Sequence, residues 1–291
     1  MMRIINRIMK IAGDKALKTD VGRLDLSKLP SEVTEINDVS YIDDELPGHK
    51  MDIYLKRDGT KKPVLIDIHG GGFISEDKAM NRLFGNYMAL QGFTVFELNV
   101  RLAYPEFTVF DQIGDIAQGV RYVLDNADLY ECDPKELYIA GHSSGGVLAL
   151  SECLLSVDPK MCSDFGFAPR DYSYKGLITD CGLMHFYKKS IAYWGMRKMI
   201  FPKGYTKDKR YGYLVFEENP CLGKLPKTAL ITNSKDVLRK MTWRFNGMLD
   251  RYDIRHKVFS DGADGHTGII FVPYTEGNQA TLQKIKEYLL T

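Results

Sequence analysis

Apolar and polar positions along this chain follow two periods. Met51, Ile53 and Leu55 alternate with Asp52 and Tyr54, which predicts a half-buried strand. Residues 64–68 and 93–100 are short, mostly apolar runs and read as buried strands, with a helical stretch at 83–90 between them. Ile113, Ile116, Ala117, Val120 and Leu124 fall on one helical face. Residues 136–140 predict another buried strand and 147–155 a helix. Strands at 176–179, 228–232 and 256–260 follow, with a helix at 238–249 among them. Leu282, Ile285 and Leu289 line a closing helix.

Strand and helix therefore alternate from about residue 64 to the end. That order predicts an α/β fold, a mainly parallel sheet with helices on both faces, built as one domain over 1–291. In such sheets the chemistry sits in loops at the carboxyl ends of the strands. Residues 184–226 break the rhythm: Phe186, Tyr187, Tyr193, Trp194, Phe201, Tyr205, Tyr211 and Tyr213 lie among basic residues. We read this stretch as a small cap inserted between two strands, a role that residues 1–45 could share. Ile4, Ile5, Ile8 and Ile11 with Ala12 follow helical spacing, and Asn6, Arg7 and Lys10 interrupt the run. A short amphipathic helix is expected there rather than a signal peptide.

Composition narrows the partners. Across 291 residues 44% are apolar and 26% charged, and the formal net charge is +1. Nothing in that balance suggests nucleic acid or an anionic membrane. No stretch is apolar for long enough to span a bilayer. Five cysteines, an odd number with no CxxC pair, read as reduced thiols in a cytoplasmic protein. The oligomeric state, homo-oligomer or monomer, is left open.

The chemistry begins at Gly141-His142-Ser143-Ser144-Gly145, a G-x-S-x-G pattern placed after a buried strand and before an apolar helix. A serine hydroxyl is a weak nucleophile unless a sharp turn presents it to a base, and that strand–turn–helix context supplies one. A plain glycine-rich turn is the bland alternative. His69-Gly70-Gly71-Gly72 also follows a strand. Successive glycines let backbone N–H groups point at a developing oxyanion, and the N–H of Ser144 is the expected second half of such a hole. A phosphate-binding turn is the competing reading, but neither G-x-G-x-x-G nor G-K-[ST] occurs.

The base is sought among His49, His69, His142, His185, His256 and His266. His266 lies in a loop just after the last predicted strand and so reaches across the strand ends. His142 adjoins the serine and is badly placed to serve it, while His49 and His256 fall at strand starts. Asp236 follows the strand at 228–232 and opens a helix, where a helix N-cap would be its ordinary role. Asp261 and Asp264 compete with it as the acid. The chain order Ser143, Asp236, His266 is that of α/β-hydrolases. No metal spacing such as HExxH is present, and no metal or organic cofactor is expected.

Four blocks now carry a resemblance. They are His69-Gly70-Gly71-Gly72-Phe73, Asn99-Val100-Arg101-Leu102-Ala103, Gly141-His142-Ser143-Ser144-Gly145-Gly146, and Asp236-Val237-Leu238 followed by His266. From about residue 50 onward the chain resembles the hormone-sensitive-lipase-like branch of the α/β-hydrolases, the HGGG-motif microbial carboxylesterases. The resemblance implies Ser143 as nucleophile, His266 as base, Asp236 as acid, and oxyanion donors at Gly71, Gly72 and Ser144. His69, Gly70, Gly141 and Gly145 support the motifs. The chain departs from the family where His142 and Ser144 replace the usual Asp and Ala. It also has Val100 for the usual tyrosine, Tyr104 before the proline, and Arg239-Lys240 for an acidic pair.

The expected function is a serine carboxylesterase acting on small, short-acyl esters through an acyl-enzyme. An acetyl esterase on carbohydrate and an amidase or peptidase use the same machinery and stay open. A non-catalytic binding protein of this fold usually lacks the histidine, which is present here.

Overall fold

The computed structural model of the chain describes residues 22–260 and 265–291, with Ile11 and Lys15. Apart from Ile11, the amphipathic helix read at 4–12 lies outside the described residues. Among these residues the strands are β1 (Thr34–Ser40), β2 (Lys50–Leu55), β3 (Lys62–Ile68), β4 (Thr94–Leu98), β5 (Cys132–His142), β6 (Gly176–Asp180), β7 (Lys227–Ile231) and β8 (His256–Phe259). They form one sheet in the order β1-β2-β4-β3-β5-β6-β7-β8. β1 with β2 and β2 with β4 pair antiparallel, and every other neighbouring pair is parallel.

The parallel connections run through helices, as crossovers require. These hold α1 (Arg82–Leu90), α2 (Val109–Asp125), α3 (Ser144–Val157), α4 (Pro159–Asp164), α5 (Ile191–Ile200), α6 (Lys209–Tyr213) and α7 (Arg239–Arg251), while α8 (Gly268–Phe271) and α9 (Glu276–Leu290) follow β8. Side chains alternate across each strand and give the sheet two buried faces. Ile66, Ile139, Leu177 and Leu230 join α2, α3 and α7 through Ile113, Val147 and Phe245. Leu65, Tyr138, Ile178 and Ala229 join α1 and α9 through Phe84, Leu282 and Ile285.

Some elements differ from the sequence pattern. β1 was not expected, because Thr-Glu-Ile-Asn-Asp-Val-Ser lacks clean alternation. It is an edge strand whose register shifts between Ile36 and Val39, its two contributions to the core. β5 extends the expected strand at both ends. α4 was also unseen; Asp158 caps it by accepting from the Lys160 and Met161 N–H groups, with Pro159 at its first position. Residues 184–226 do fall between β6 and β7, where they hold α5, α6 and several 3-10 turns.

Candidate active site

The G-x-S-x-G turn joins β5 to α3, and Ser143 sits at its apex with φ 52° and ψ −114°. A residue with a Cβ rarely occupies that region, and it persists only where its surroundings hold it. Here the Ser143 N–H donates to the Asp180 carbonyl at 2.8 Å, and the Ser143 carbonyl accepts from Leu183 N–H at 3.0 Å. The flanking glycines are dictated by space. A Cβ on Gly141 would fall on the Gly145 carbonyl, and one on Gly145 would fall on the carbonyl oxygens of Ile68 and His69.

Three of the residues singled out from sequence meet at the strand ends. His266 Nε2 lies 2.9 Å from Ser143 Oγ, and His266 Nδ1 lies 2.9 Å from Asp236 Oδ1. Asp236 Oδ1 also accepts from Leu238 N–H at 2.8 Å, and its Oδ2 from the Thr232 hydroxyl at 2.9 Å. Burial opposes the Asp236 charge, but the hydrogen bonds from His266, Leu238 and Thr232 hold its carboxyl below the usual range. The bland alternative for Asp236, a helix N-cap, is not what it does: α7 starts at Arg239 with Leu238 in the cap position. The His266 loop is tied to the end of β7, where Asn233 exchanges two hydrogen bonds with the Gly265 backbone, at 2.7 and 3.0 Å. The rival acids Asp261 and Asp264 lie outside the described residues. His49 is held between Asp44 and Asp115, and His256 against the Ile254 carbonyl.

The glycine loop packs against this turn. Gly71, Gly72 and Phe73 have φ of 83°, 61° and 72° in succession, a left-handed run that glycine permits at its first two positions. A Cβ on Gly70 would lie 3.2 Å from Ser143 Cβ and 3.1 Å from the His142 carbonyl oxygen, so even a methyl group there would crowd the serine. Ser144 Oγ accepts from Phe73 N–H at 3.2 Å, so the hydroxyl that replaces the family's alanine links the two motifs. The Phe73 carbonyl in turn accepts from Ala103 N–H at 2.8 Å and from the Gln112 side chain at 3.0 Å. Arg101 is fixed on Asp115, so the Asn99–Ala103 block acts as a brace behind the loop. The Ser144 N–H opens α3 and has no carbonyl of its own helix to bond, which leaves it available at the positive helix end. His69 is buried with its Nδ1 3.2 Å from the Gly70 carbonyl, and burial holds its imidazole below its usual pKa.

His142, beside Ser143, is buried in a polar network that a linear reading does not reveal. Its Nδ1 lies 2.9 Å from Asp180 Oδ2 and its Nε2 3.1 Å from Asp67 Oδ1, while Phe84 packs edge-on against the ring. A neutral imidazole donates once, so two carboxylate partners call for the imidazolium. Burial opposes that charge, but Asp67 and Asp180 outweigh it and push the pKa up to about 10. Asp67 also accepts from Asn81 and lies in register with Glu97, whose carboxyl is pushed well up by its burial, with Asp67 and Asp52 nearby. A polar row thus crosses the α1 face of the sheet directly beneath the serine. The sequence signal was the histidine standing where the family has an aspartate.

Beside the glycine loop lies a cavity of about 330 Å³, lined by Leu46, Glu76, Asn99, Val100, Arg101 and Phe107 among others. No described helix is long and apolar enough to cross a membrane.

Comparison with known proteins adds three findings. Residues 51–188 match the family model BD-FAE. A probable isoprenylcysteine alpha-carbonyl methylesterase of Oryza sativa subsp. japonica is 32% identical over 208 residues, which cover 66% of this chain and 47% of that protein. The chain spans less than half the length of the curated relatives it matches. Among solved structures, esterase B from Lactobacillus rhamnosis with a tributyrin phosphonate aligns with a TM-score of 0.89 at 19% identity, over 99% of this chain and 94% of its own. An esterase from Pyrobaculum calidifontis aligns at 0.71 and 19% identity, over 99% and 92%. At such identities the likeness is one of fold.

Proposed function

We propose that this chain, which has the α/β-hydrolase fold, is a serine carboxylesterase that cleaves small esters with short acyl groups. The observation that carries the reading is the hydrogen-bonded line from Ser143 Oγ through His266 to Asp236. His266 Nε2 takes the Ser143 proton as the oxygen attacks the ester carbonyl. Asp236 keeps the Nδ1 proton in place and stabilises the imidazolium that forms. The Gly71, Gly72 and Ser144 N–H groups receive the oxyanion, each such donor contributing about 3 kcal/mol to lowering the barrier. The imidazolium then protonates the leaving alcohol, and water activated by the same histidine releases the acid.

The insertion between β6 and β7 acts as the cap, where Phe201 packs on Phe186, Tyr205 and Tyr211 while Trp194 stays exposed. The methylesterase named among the relatives fits a small alcohol as leaving group.

Hydrolysis of p-nitrophenyl acetate, butyrate, octanoate and palmitate by wild type and Ser143→Ala tests the reading. Cleavage that favours acetate and butyrate, with the variant falling by about 10⁴-fold or more, is the expected result. No cleavage of any ester by the wild type contradicts it and turns attention to amides and sugar-borne acetyl groups.

A further inference from the structure

Beneath His266 lies a thiol that the hydrolytic scheme does not use. Cys181 follows β6 with its backbone in the left-handed region, φ 50°, where a residue with a Cβ is uncommon. It is fully buried, and its Sγ accepts from the N–H of Thr267, the residue after His266, at 3.4 Å. The ligand atoms of Cys181, Asp236 and His266 all lie within 4.8 Å of one another. A tetrahedral Zn²⁺ with one sulfur and two N or O ligands needs those atoms about 3.4–3.6 Å apart; with His266 Nδ1 and Asp236 Oδ1 at 2.9 Å and the whole set within 4.8 Å, binding opens the imidazole–carboxylate pair and draws the thiol in. The set joins a soft thiolate, an imidazole and a carboxylate, the ligand types that zinc takes.

We propose that Cys181, Asp236 and His266 form an inhibitory site for a thiophilic divalent cation, Zn²⁺ or Cd²⁺. The cation enters on the side where the His266 side chain is 31% exposed, and water fills its fourth position. The Cys181 proton leaves to solvent, and the thiolate, an Asp236 oxygen and His266 Nδ1 bind the ion. The proton on Nδ1 moves to Nε2, so the imidazole stays neutral. An Nε2 that carries a proton cannot accept the one from Ser143, and hydrolysis stops. Covalent modification of Cys181 is a weaker alternative, because its thiol is fully buried and a modifying group is larger than a bare cation.

The inference uses the same histidine as the proposed esterase, but binding can be read without turnover. Cd²⁺ titrated into the full chain is followed by the thiolate-to-metal absorbance in the ultraviolet, in wild type, Cys181→Ser and Cys181→Ala. The serine variant keeps an acceptor for the Thr267 N–H. The expected result is a band in wild type that both variants lack, together with Zn²⁺ inhibition of p-nitrophenyl acetate hydrolysis that EDTA reverses. Each variant, measured against its own uninhibited rate, should need at least about tenfold more Zn²⁺. Equal inhibition of all three proteins, or a band unchanged by loss of Cys181, overturns the site. X-ray absorption at the zinc edge of the wild-type complex needs no variant: a sulfur ligand at about 2.3 Å supports the site, and a shell of nitrogen and oxygen alone overturns it. A Cys181-dependent band in a protein that cleaves no ester would keep the site and reject the esterase.

Discussion

His142 bears the clearest energetic consequence of any single residue. Its ring is buried between two carboxylates, so removing it leaves Asp67 and Asp180 without a cation. His142→Asn should lower stability by roughly 3 kcal/mol or more, the scale for breaking a buried ion pair. The pH dependence has a definite sign. The folded pKa, about 10, stands above the ordinary histidine value, so the wild-type advantage is full below about pH 6.5 and is lost as pH rises through about 10. Urea denaturation of both proteins across that range checks it; a stability gap that does not narrow toward pH 10 would contradict the imidazolium. The bond from Ser143 N–H to the Asp180 carbonyl links this row to the proposed nucleophile. At this scale motif and chain order single out Ser143, Asp236 and His266, and the structure brings these three side chains within hydrogen-bonding distance. His142 was dismissed as a base, and nothing in a linear reading could show Asp67 and Asp180 converging on it from two other strands.

At the scale of elements, α3 does two things at once. Its first turn presents Ser143 and the Ser144 N–H, and its second half buries Glu152 against Tyr172 and Tyr174. Burial pushes the Glu152 carboxyl up to about 7, although Arg170 and the two tyrosines act in the other direction. An acid with a raised folded pKa makes stability fall as pH rises from about 4.5 to about 7, because the unfolded chain releases the proton first. Glu152→Gln should flatten that slope, and thermal melts at pH 5 and pH 8 measure it; a slope unchanged in the variant would show that Glu152 is ionised throughout. The apolar runs of β3 to β8 and the faces of α2, α7 and α9 were read from periodicity alone. β1 and α4 escaped because their places depend on an edge register and on a cap at Asp158, which pattern does not encode.

In the whole molecule, a mainly parallel sheet gathers residues that lie far apart in sequence. Ser143 and His266 are 123 positions apart and Asp236 and His266 are 30 apart, yet both pairs lie within hydrogen-bonding distance. The crossover rule made this meeting at the strand ends predictable, while the brace from the Asn99–Ala103 block through Phe73 to Ser144 needed coordinates. The central claim is that this assembly activates Ser143. Labelling by a fluorophosphonate, read by mass spectrometry of the digested protein, tests it most directly because it requires no knowledge of the natural ester. One adduct is expected, on Ser143, formed rapidly by wild type and about 10⁴-fold more slowly by the folded His266→Ala variant. Folded wild-type protein that leaves Ser143 unmodified, or that labels equally well without His266, would contradict it.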